Sequence, residues 1–110
     1  LPRFVAIRHE NTAHSGTPDI SIDGMGKCSW LEVKHGTPDF KSDGRQELLC
    51  LRLAGANFCR YVIYHEDAQG NNKRTLIVHP KNLRDLTPEV FCVGFNHQFV
   101  VDYIKKRHGA

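Results

Sequence analysis

Apolar and polar residues alternate along the first third of the chain in a pattern that predicts three β-strands. The first strand covers about residues 3–9, and the second is Asp19-Ile20-Ser21-Ile22, which is closed by the turn signal Asp23-Gly24. The third strand runs from Ser29 to Lys34. Because the turn signal lies between them, we expect the second and third strands to form an antiparallel hairpin.

Helical spacing replaces this alternation in the middle of the chain. Ser42 can cap a helix whose apolar residues recur at helical intervals and which ends at Gly55. Residues 57–65 and 74–79 are rich in aromatic and β-branched residues, and the polar turn Gln69-Gly70-Asn71-Asn72 separates them. These two segments predict a second hairpin.

The last quarter of the chain carries two signals for helix starts. Thr87-Pro88-Glu89 combines a capping residue, a proline suited to the first helical position and an acidic residue in the first turn. From Asn96 or His97 to Arg107, the apolar spacing predicts a second amphipathic helix. Together the elements predict a single α/β domain over residues 1–110, with a central mixed sheet flanked by helices.

The first hairpin gathers charged side chains. Asp19 stands near the start of one strand and Glu32 near the end of the next, and these two ends lie side by side in an antiparallel pair. Since side chains alternate across a strand, Glu32 and Lys34 project from the same face, whereas Val33 points the other way into the core. The hairpin therefore aims two carboxylates and one amine at a common point.

Such a cluster suits a divalent cation. Neighbouring carboxylates repel each other, and a cation between them removes that cost. Mg²⁺ is a hard ion that proteins usually hold with one or two carboxylates, water and substrate phosphate, and we expect Mn²⁺ to substitute for it. The ion can activate water and stabilise charge on a phosphoryl oxygen, while Lys34 positions the attacking hydroxide or neutralises the transition state. These are the groups that phosphodiester hydrolysis requires.

The charged hairpin lies inside a longer motif. Gly16-Thr17-Pro18-Asp19, followed thirteen residues later by Glu32-Val33-Lys34 and then by a helix bearing Gln46, closely resembles the PD-(D/E)xK nuclease superfamily. Within it, the chain is most similar to the VRR-NUC group, the virus-type replication-repair nuclease domain of phages and DNA-repair nucleases. Arg8-His9-Glu10-Asn11 also looks like the segment that precedes the motif in stand-alone phage members. The likeness covers about residues 3–65 and implies a restriction-endonuclease-like fold and metal-dependent cleavage of DNA.

The resemblance also implies a role for each residue of the motif. By this likeness, the ligands of the metal ion are Asp19, Glu32 and the backbone carbonyl of Val33, the catalytic lysine is Lys34, and the residue facing the site from the helix is Gln46. The family pattern also has a glutamate on a helix ahead of the first strand. The chain starts at Leu1 and runs directly into that strand, so we expect that an N-terminal helix is missing.

Each of these residues also has an ordinary structural interpretation. Asp19 follows a proline, as turn carboxylates often do, and Glu32 with Lys34 can form a solvent-facing ion pair. Gln46 can simply face water, because glutamine is a good helix former. Trp30 shares the face of Glu32, where it can pack beside the site or stack on a base. The motif as a whole is more specific than any of its parts.

Composition narrows the class of protein. With 110 residues and 40% apolar content, the chain can form one compact domain. Its longest apolar runs are only a few residues, so we expect no membrane span and a cytoplasmic protein, in the host cell if a phage encodes it. Four scattered cysteines without a Cys-x-x-Cys pair predict reduced thiols packed as small apolar residues. Most of the seven histidines are predicted to lie at the surface.

The net charge of +3 is distributed unevenly along the chain. Residues 1–70 hold eight Lys and Arg against nine Asp and Glu, whereas residues 71–110 hold seven against three. This basic excess can contact phosphates or form an ordinary solvated face. Charge alone therefore gives only weak support for a DNA partner.

Three classes of function follow from these patterns. The first is an Mg²⁺- or Mn²⁺-dependent DNA endonuclease. We expect it to cut branched, flap or junction DNA as a homodimer, because a domain this small has little surface for recognising base sequence. The second is a non-catalytic nucleic-acid-binding module that keeps the nuclease fold. The third is a protein–protein interaction domain built on the same sheet.

Overall fold

A computed structural model describes residues 4–9, 18–36 and 44–109 of the chain. These residues form a six-stranded mixed sheet, two α-helices and a short 3₁₀ helix. The strands are β1 (Phe4–Arg8), β2 (Ile20–Gly24), β3 (Lys27–Gly36), β4 (Cys59–His65), β5 (Arg74–Val78) and β6 (Val90–Val93). The helices are α1 (Gly44–Ala56) and α2 (His97–Arg107), and the 3₁₀ helix covers Pro80–Asn82. The predicted α/β class with a central mixed sheet is confirmed at this level.

The strands lie in the sheet in the order in which they occur in the chain. Neighbouring strands are antiparallel, except for β3 and β4, which are parallel. A parallel pair needs a crossover connection of a dozen or more residues, and α1 lies in the connection between these two strands. As a result, β1 and β6 form the two edges of the sheet.

The two faces of the sheet bury separate apolar clusters, and we call them the α1 face and the α2 face. On the α1 face, residues of α1 pack with buried residues of β4 and β5, including Cys50, Leu53, Tyr61, Ile63 and Leu76. On the α2 face, residues of α2 pack with the other side of the sheet, including Val100, Tyr103, Ile104, Leu31, Val62 and Tyr64. Consecutive residues of β4 thus reach opposite clusters, as the alternation of a strand requires.

The β2–β3 hairpin turns two residues later than the sequence predicts. Asp23-Gly24 belongs to β2, and the turn is formed by Met25 and Gly26, with φ angles of 52° and 76°. A tight two-residue hairpin turn needs positive φ at both positions, which glycine adopts freely and methionine does not. Gly24 has a different role, because a Cβ there would clash with the ring of Phe4 on β1.

The last quarter of the chain differs from prediction in one element. The helix-start signal Thr87-Pro88-Glu89 leads into the strand β6, so that prediction is wrong. The apolar residues of β6 pair with β5 in the register Thr75↔Cys92, and this pairing outweighs the local helix signal. The predicted second amphipathic helix is confirmed as α2. Its N-cap residue is Asn96, whose side chain accepts a hydrogen bond from the N–H of Phe99.

The helix α1 follows the predicted helix closely. The predicted capping residue Ser42 lies outside the described residues. Cys50 is fully buried, but Leu48 and Leu51 are exposed on the outer side of the helix, so its apolar face is narrower than predicted. Within the described parts of the chain, no helix combines the length and the apolar character needed to cross a membrane.

Two predictions about residue types have different outcomes. All four cysteines are free, and the predicted packing among apolar residues is confirmed for Cys50 and Cys59, whereas Cys28 and Cys92 are partly exposed. Most histidines were predicted to lie at the surface, and of the six that the structure describes, His65 and His108 are buried. Both of them have hydrogen-bonding neighbours in the structure, which makes burial of a polar ring acceptable.

Candidate functional site

The structure brings the predicted carboxylates together where β2 begins. The register pairs Ile20 with Leu31, which places Asp19 beside Glu32. The backbone N–H of Asp19 donates to Glu32 Oε1 at 3.0 Å, and the N–H of Val33 donates to Asp19 Oδ2 at 3.1 Å. Each carboxylate is therefore held by a backbone donor from the opposite strand.

Pro18 explains why the carboxylate of Asp19 accepts the N–H of Val33. Extending the register by two residues would place Pro18 opposite Val33, and proline has no N–H to continue the ladder. The Asp19 carboxylate accepts the Val33 N–H there instead. Because the N–H and C=O of one strand residue project to the same side, the carbonyl of Val33 also projects to the side on which β2 lies.

Glu32 is the centre of the cluster, and its side chain is only 4% exposed. Its second oxygen, Oε2, accepts Gln46 Nε2 at 2.7 Å and lies 3.3 Å from Lys34 Nζ. The helix α1 supplies Gln46, which contacts the site instead of facing water. Four of the predicted site residues are thus connected through one buried carboxylate.

Charged neighbours act on Glu32 in opposite directions. Burial raises the pKa of the Glu32 carboxyl above its ordinary value, and the negative charge of Asp19 raises it further. The ammonium of Lys34 acts in the opposite direction. The Lys34 side chain is 25% exposed, so solvent can reach the ion pair that it forms with Glu32. Among the described residues, the cluster thus combines two neighbouring carboxylates with a partly exposed ammonium.

Two aromatic residues border the cluster. Trp30 packs against the apolar core of the α1 face, which confirms its predicted position in the core beside the site. The ring of His9 lies 5.0 Å from the ring of Trp30, its Nε2 is 2.8 Å from Ser21 Oγ, and its N–H bonds to the carbonyl of Asp19. His9 was not predicted to be a neighbour of the site. Its position directly after the first strand, opposite the start of the second, is the signal that could have found it.

A second polar cluster lies on the α2 face of the same hairpin, near its turn. His108, the C-cap of α2, is buried, with Nδ1 2.8 Å from the carbonyl of Gly24 and Nε2 2.8 Å from Ser29 Oγ. A carbonyl only accepts, so Nδ1 carries a proton and donates to Gly24, while a second hydrogen bond joins Nε2 to the Ser29 hydroxyl. Ser29 Oγ in turn accepts Arg107 Nε at 3.0 Å. We call Ser29, Arg107 and His108 the α2 clasp, because they tie the end of α2 to the hairpin.

Comparison of the sequence with protein-family models and with curated proteins finds no match to either. In residues 4–9, 18–36 and 44–109, no group of three or more His, Cys, Asp or Glu side chains is arranged to hold a metal ion. Gly16 and Thr17 of the longer motif, and Glu10 and Asn11 of the segment that precedes it, lie outside the described part of the chain. The candidate site therefore depends on two carboxylates and the groups that contact them.

Proposed function

We propose that this chain is an Mg²⁺- or Mn²⁺-dependent DNA endonuclease of the PD-(D/E)xK class, similar to VRR-NUC domains, which cuts branched, flap or junction DNA. The observation that carries the proposal is the pairing of Asp19 with Glu32, a buried carboxylate that also lies 3.3 Å from the ammonium of Lys34. The mixed sheet flanked by helices supports the restriction-endonuclease-like fold that the motif implies.

The donor groups at this point fit a hard divalent cation. The carboxylates of Asp19 and Glu32 and the carbonyl of Val33 are oxygen ligands of the kind that Mg²⁺ prefers. Bringing the two carboxylates together costs free energy, which a further positive charge would offset. When bound there, the ion supplies an activated water and stabilises negative charge on the phosphoryl oxygen.

The side chains around the pair can position the reacting groups. Lys34, which is partly exposed, can donate a hydrogen bond to a phosphate oxygen or to the attacking water. Gln46 donates to Glu32 Oε2 and so fixes the orientation of that carboxylate. Backbone donors hold Glu32 Oε1 and Asp19 Oδ2, which fixes both carboxylates to the strands.

One observation favours a second candidate function, a non-catalytic nucleic-acid-binding module with the same fold. Both oxygens of Glu32 already interact with protein donors, from Asp19, Gln46 and Lys34. Such a network can be complete in itself without a metal ion. Metal binding distinguishes the two candidates, because only the nuclease must exchange one of these donors for a cation.

Cleavage assays test the catalytic proposal. The protein is incubated with Mn²⁺ and a panel of flap, junction and duplex DNA, and we expect metal-dependent cutting of the branched substrates. Lys34→Ala should lose at least about 100-fold in rate, because it removes a donor to the developing charge. Lys106→Ala, an exposed lysine on the opposite face of the sheet, is the matched control and should keep the wild-type rate. Undiminished cutting by Lys34→Ala would contradict the proposed role.

Calorimetric titration with Mn²⁺ separates the two candidates. The wild type should bind the ion, and Asp19→Asn should weaken binding by at least about tenfold. Asp23→Asn changes an exposed aspartate of the same strand and should leave binding unchanged. A protein that binds DNA with a steep salt dependence, yet neither binds Mn²⁺ nor cuts, would be the non-catalytic module.

A further inference from the structure

Four aromatic rings gather on the α2 face, at the end of the sheet where β3 and β4 stop. They belong to His35 of β3, Tyr64 of β4, Phe95 in the connection after β6, and His97, the first residue of α2. The centroid of the Tyr64 ring lies 5.1 Å from those of His35 and His97 and 5.6 Å from that of Phe95. We call these four residues the aromatic platform.

The rings of the platform differ in exposure. Tyr64 is 5% exposed and packs in the core, whereas Phe95 is 40% exposed and both histidines are exposed. The His35 ring stacks on Tyr64 at an interplanar angle of 25°, so Tyr64 covers one of its faces and the other is turned to solvent. Phe95 stands nearly perpendicular to His35, at 85°. A buried ring thus supports exposed rings that point in different directions.

The chemistry of the platform favours a nucleobase over an aliphatic side chain. Two of the three exposed rings are imidazoles, whose nitrogens an aliphatic surface would cover without offering a hydrogen bond. A nucleobase has both a flat face that stacks on aromatic rings and a polar edge. A cation for the neighbouring phosphate is also present, because Lys73 Nζ lies 5.8 Å from the centroid of the Phe95 ring. Lys73 also pairs with Glu66 at 3.4 Å, but both side chains are solvent-exposed, so this ion pair is weak.

The platform adjoins the candidate site through β3. Lys34 and His35 are consecutive, so their Cα atoms are about 3.8 Å apart and their side chains project from opposite faces. The strand ends at Gly36, one residue after His35. The ammonium of Lys34 and the ring of His35 therefore lie on the two sides of the same strand end.

We infer that the aromatic platform binds unpaired bases of the DNA strand next to the cleaved phosphodiester bond, by stacking them on His35 and Phe95. This inference rests on the proposed function, which places the reacting phosphate beside Lys34. Bases that lie on two nearly perpendicular rings cannot stack on each other as they do in a duplex. The platform therefore accepts bases that are free of a partner strand, such as those of a flap, and excludes continuous duplex DNA.

Fluorescence of 2-aminopurine tests the stacking without cleavage. A short single-stranded thymidine oligonucleotide with one central 2-aminopurine is titrated with the protein in EDTA, which removes divalent cations. The wild type should bind this strand and quench its fluorescence, because the probe base stacks on an aromatic ring. Fluorescence anisotropy of a labelled blunt duplex measures duplex binding in the same buffer.

Variants of the exposed rings identify the stacking surface. Phe95→Ala should raise the dissociation constant for the single strand at least about fivefold and reduce the quenching, while leaving duplex binding unchanged. Phe91→Ala removes a 55% exposed phenylalanine of β6 outside the platform and is the matched control, which should keep both values. His35→Phe keeps a flat ring and should retain the wild-type affinity. His35→Leu keeps only an apolar side chain and should weaken binding as Phe95→Ala does.

The outcomes separate this inference from the proposed function. If the wild type cuts branched DNA with Mn²⁺, but Phe95→Ala and His35→Leu bind single strands as tightly as the wild type, the platform is overturned and the catalytic proposal stands. Quenching that depends on both rings, in a protein that never cuts, would support the platform and contradict the catalytic proposal. Equal weakening by Phe91→Ala, or an equal loss of duplex binding in Phe95→Ala, would overturn the inference.

Discussion

Two polar clusters occupy opposite faces of the β2–β3 hairpin, and they differ in how their groups are matched. In the α2 clasp, His108 Nδ1 donates to the carbonyl of Gly24, and a second hydrogen bond joins His108 Nε2 to the Ser29 hydroxyl. On the α1 face, the carboxylates of Asp19 and Glu32 lie side by side, and Lys34 forms an ion pair with Glu32. Matched donors and acceptors stabilise a fold, whereas neighbouring carboxylates repel each other and favour the binding of a cation. The comparison thus separates a structural cluster from a candidate binding site.

The largest effect on stability should come from the clasp. His108→Ala deletes a buried ring and leaves the Ser29 hydroxyl and the Gly24 carbonyl without this interaction, so we expect a loss of about 2–4 kcal/mol. His97→Ala removes an exposed ring with one hydrogen bond to Tyr64 and should cost about 1 kcal/mol or less. Urea denaturation measures both values. Equal losses in the two variants would contradict the structural role of the clasp.

A smaller effect on stability is expected at the site. Glu32→Gln removes a buried charge and its repulsion from Asp19, but it also removes the ion pair with Lys34. Because these changes oppose each other, the free energy of unfolding should change by no more than about 1 kcal/mol, while Mn²⁺ affinity falls at least about tenfold. Glu47→Gln, which breaks an ion pair between α1 and Arg84, is a control that should keep Mn²⁺ affinity. A loss of several kcal/mol in Glu32→Gln would show that Glu32 stabilises the fold as strongly as the clasp does.

The smallest effect should appear in the pH dependence of stability. A carboxyl whose pKa rises on folding binds more protons in the folded state, so stability falls as pH rises from its ordinary value of 4.5 through the folded pKa. The raised pKa of Glu32 therefore predicts that the wild type loses stability relative to Glu32→Gln as the pH rises above about 4.5. Denaturation at a series of pH values measures this difference. A difference that stays constant over the range would show that the pKa is not raised.

Local patterns predicted most of the secondary structure, because alternation and helical spacing are properties of short segments. The strand β6 was missed, since Thr87-Pro88-Glu89 is a local helix signal and the pairing with β5 depends on residues more distant in the chain. The α2 clasp was missed for the same reason. Ser29 and His108 are 79 residues apart, and neither has a sequence neighbour that indicates the contact.

The position of the hairpin turn determines whether the candidate site can form. A two-residue turn at Asp23-Gly24 would pair Asp19 with Cys28, whereas the observed turn places Asp19 beside Glu32. Asp-Gly is the stronger local signal for such a turn, but Gly24 is required where the Phe4 ring packs against β2. That contact comes from another strand, so no local pattern could reveal it. The motif, and not the turn signal, indicated the correct neighbours.

The α2 clasp also has a consequence for the order of events during protein synthesis. His108, which hydrogen-bonds Ser29, is synthesised 79 residues after it, and ribosomes add about 5–20 residues per second. A hairpin forms in about 1–10 μs, whereas the helix that covers its α2 face arrives roughly 4–16 s after the hairpin residues. Until α2 is synthesised, its residues cannot cover Leu31 and Val33 on this face of the sheet. The speed of translation therefore sets how long the nascent chain presents an uncovered apolar surface.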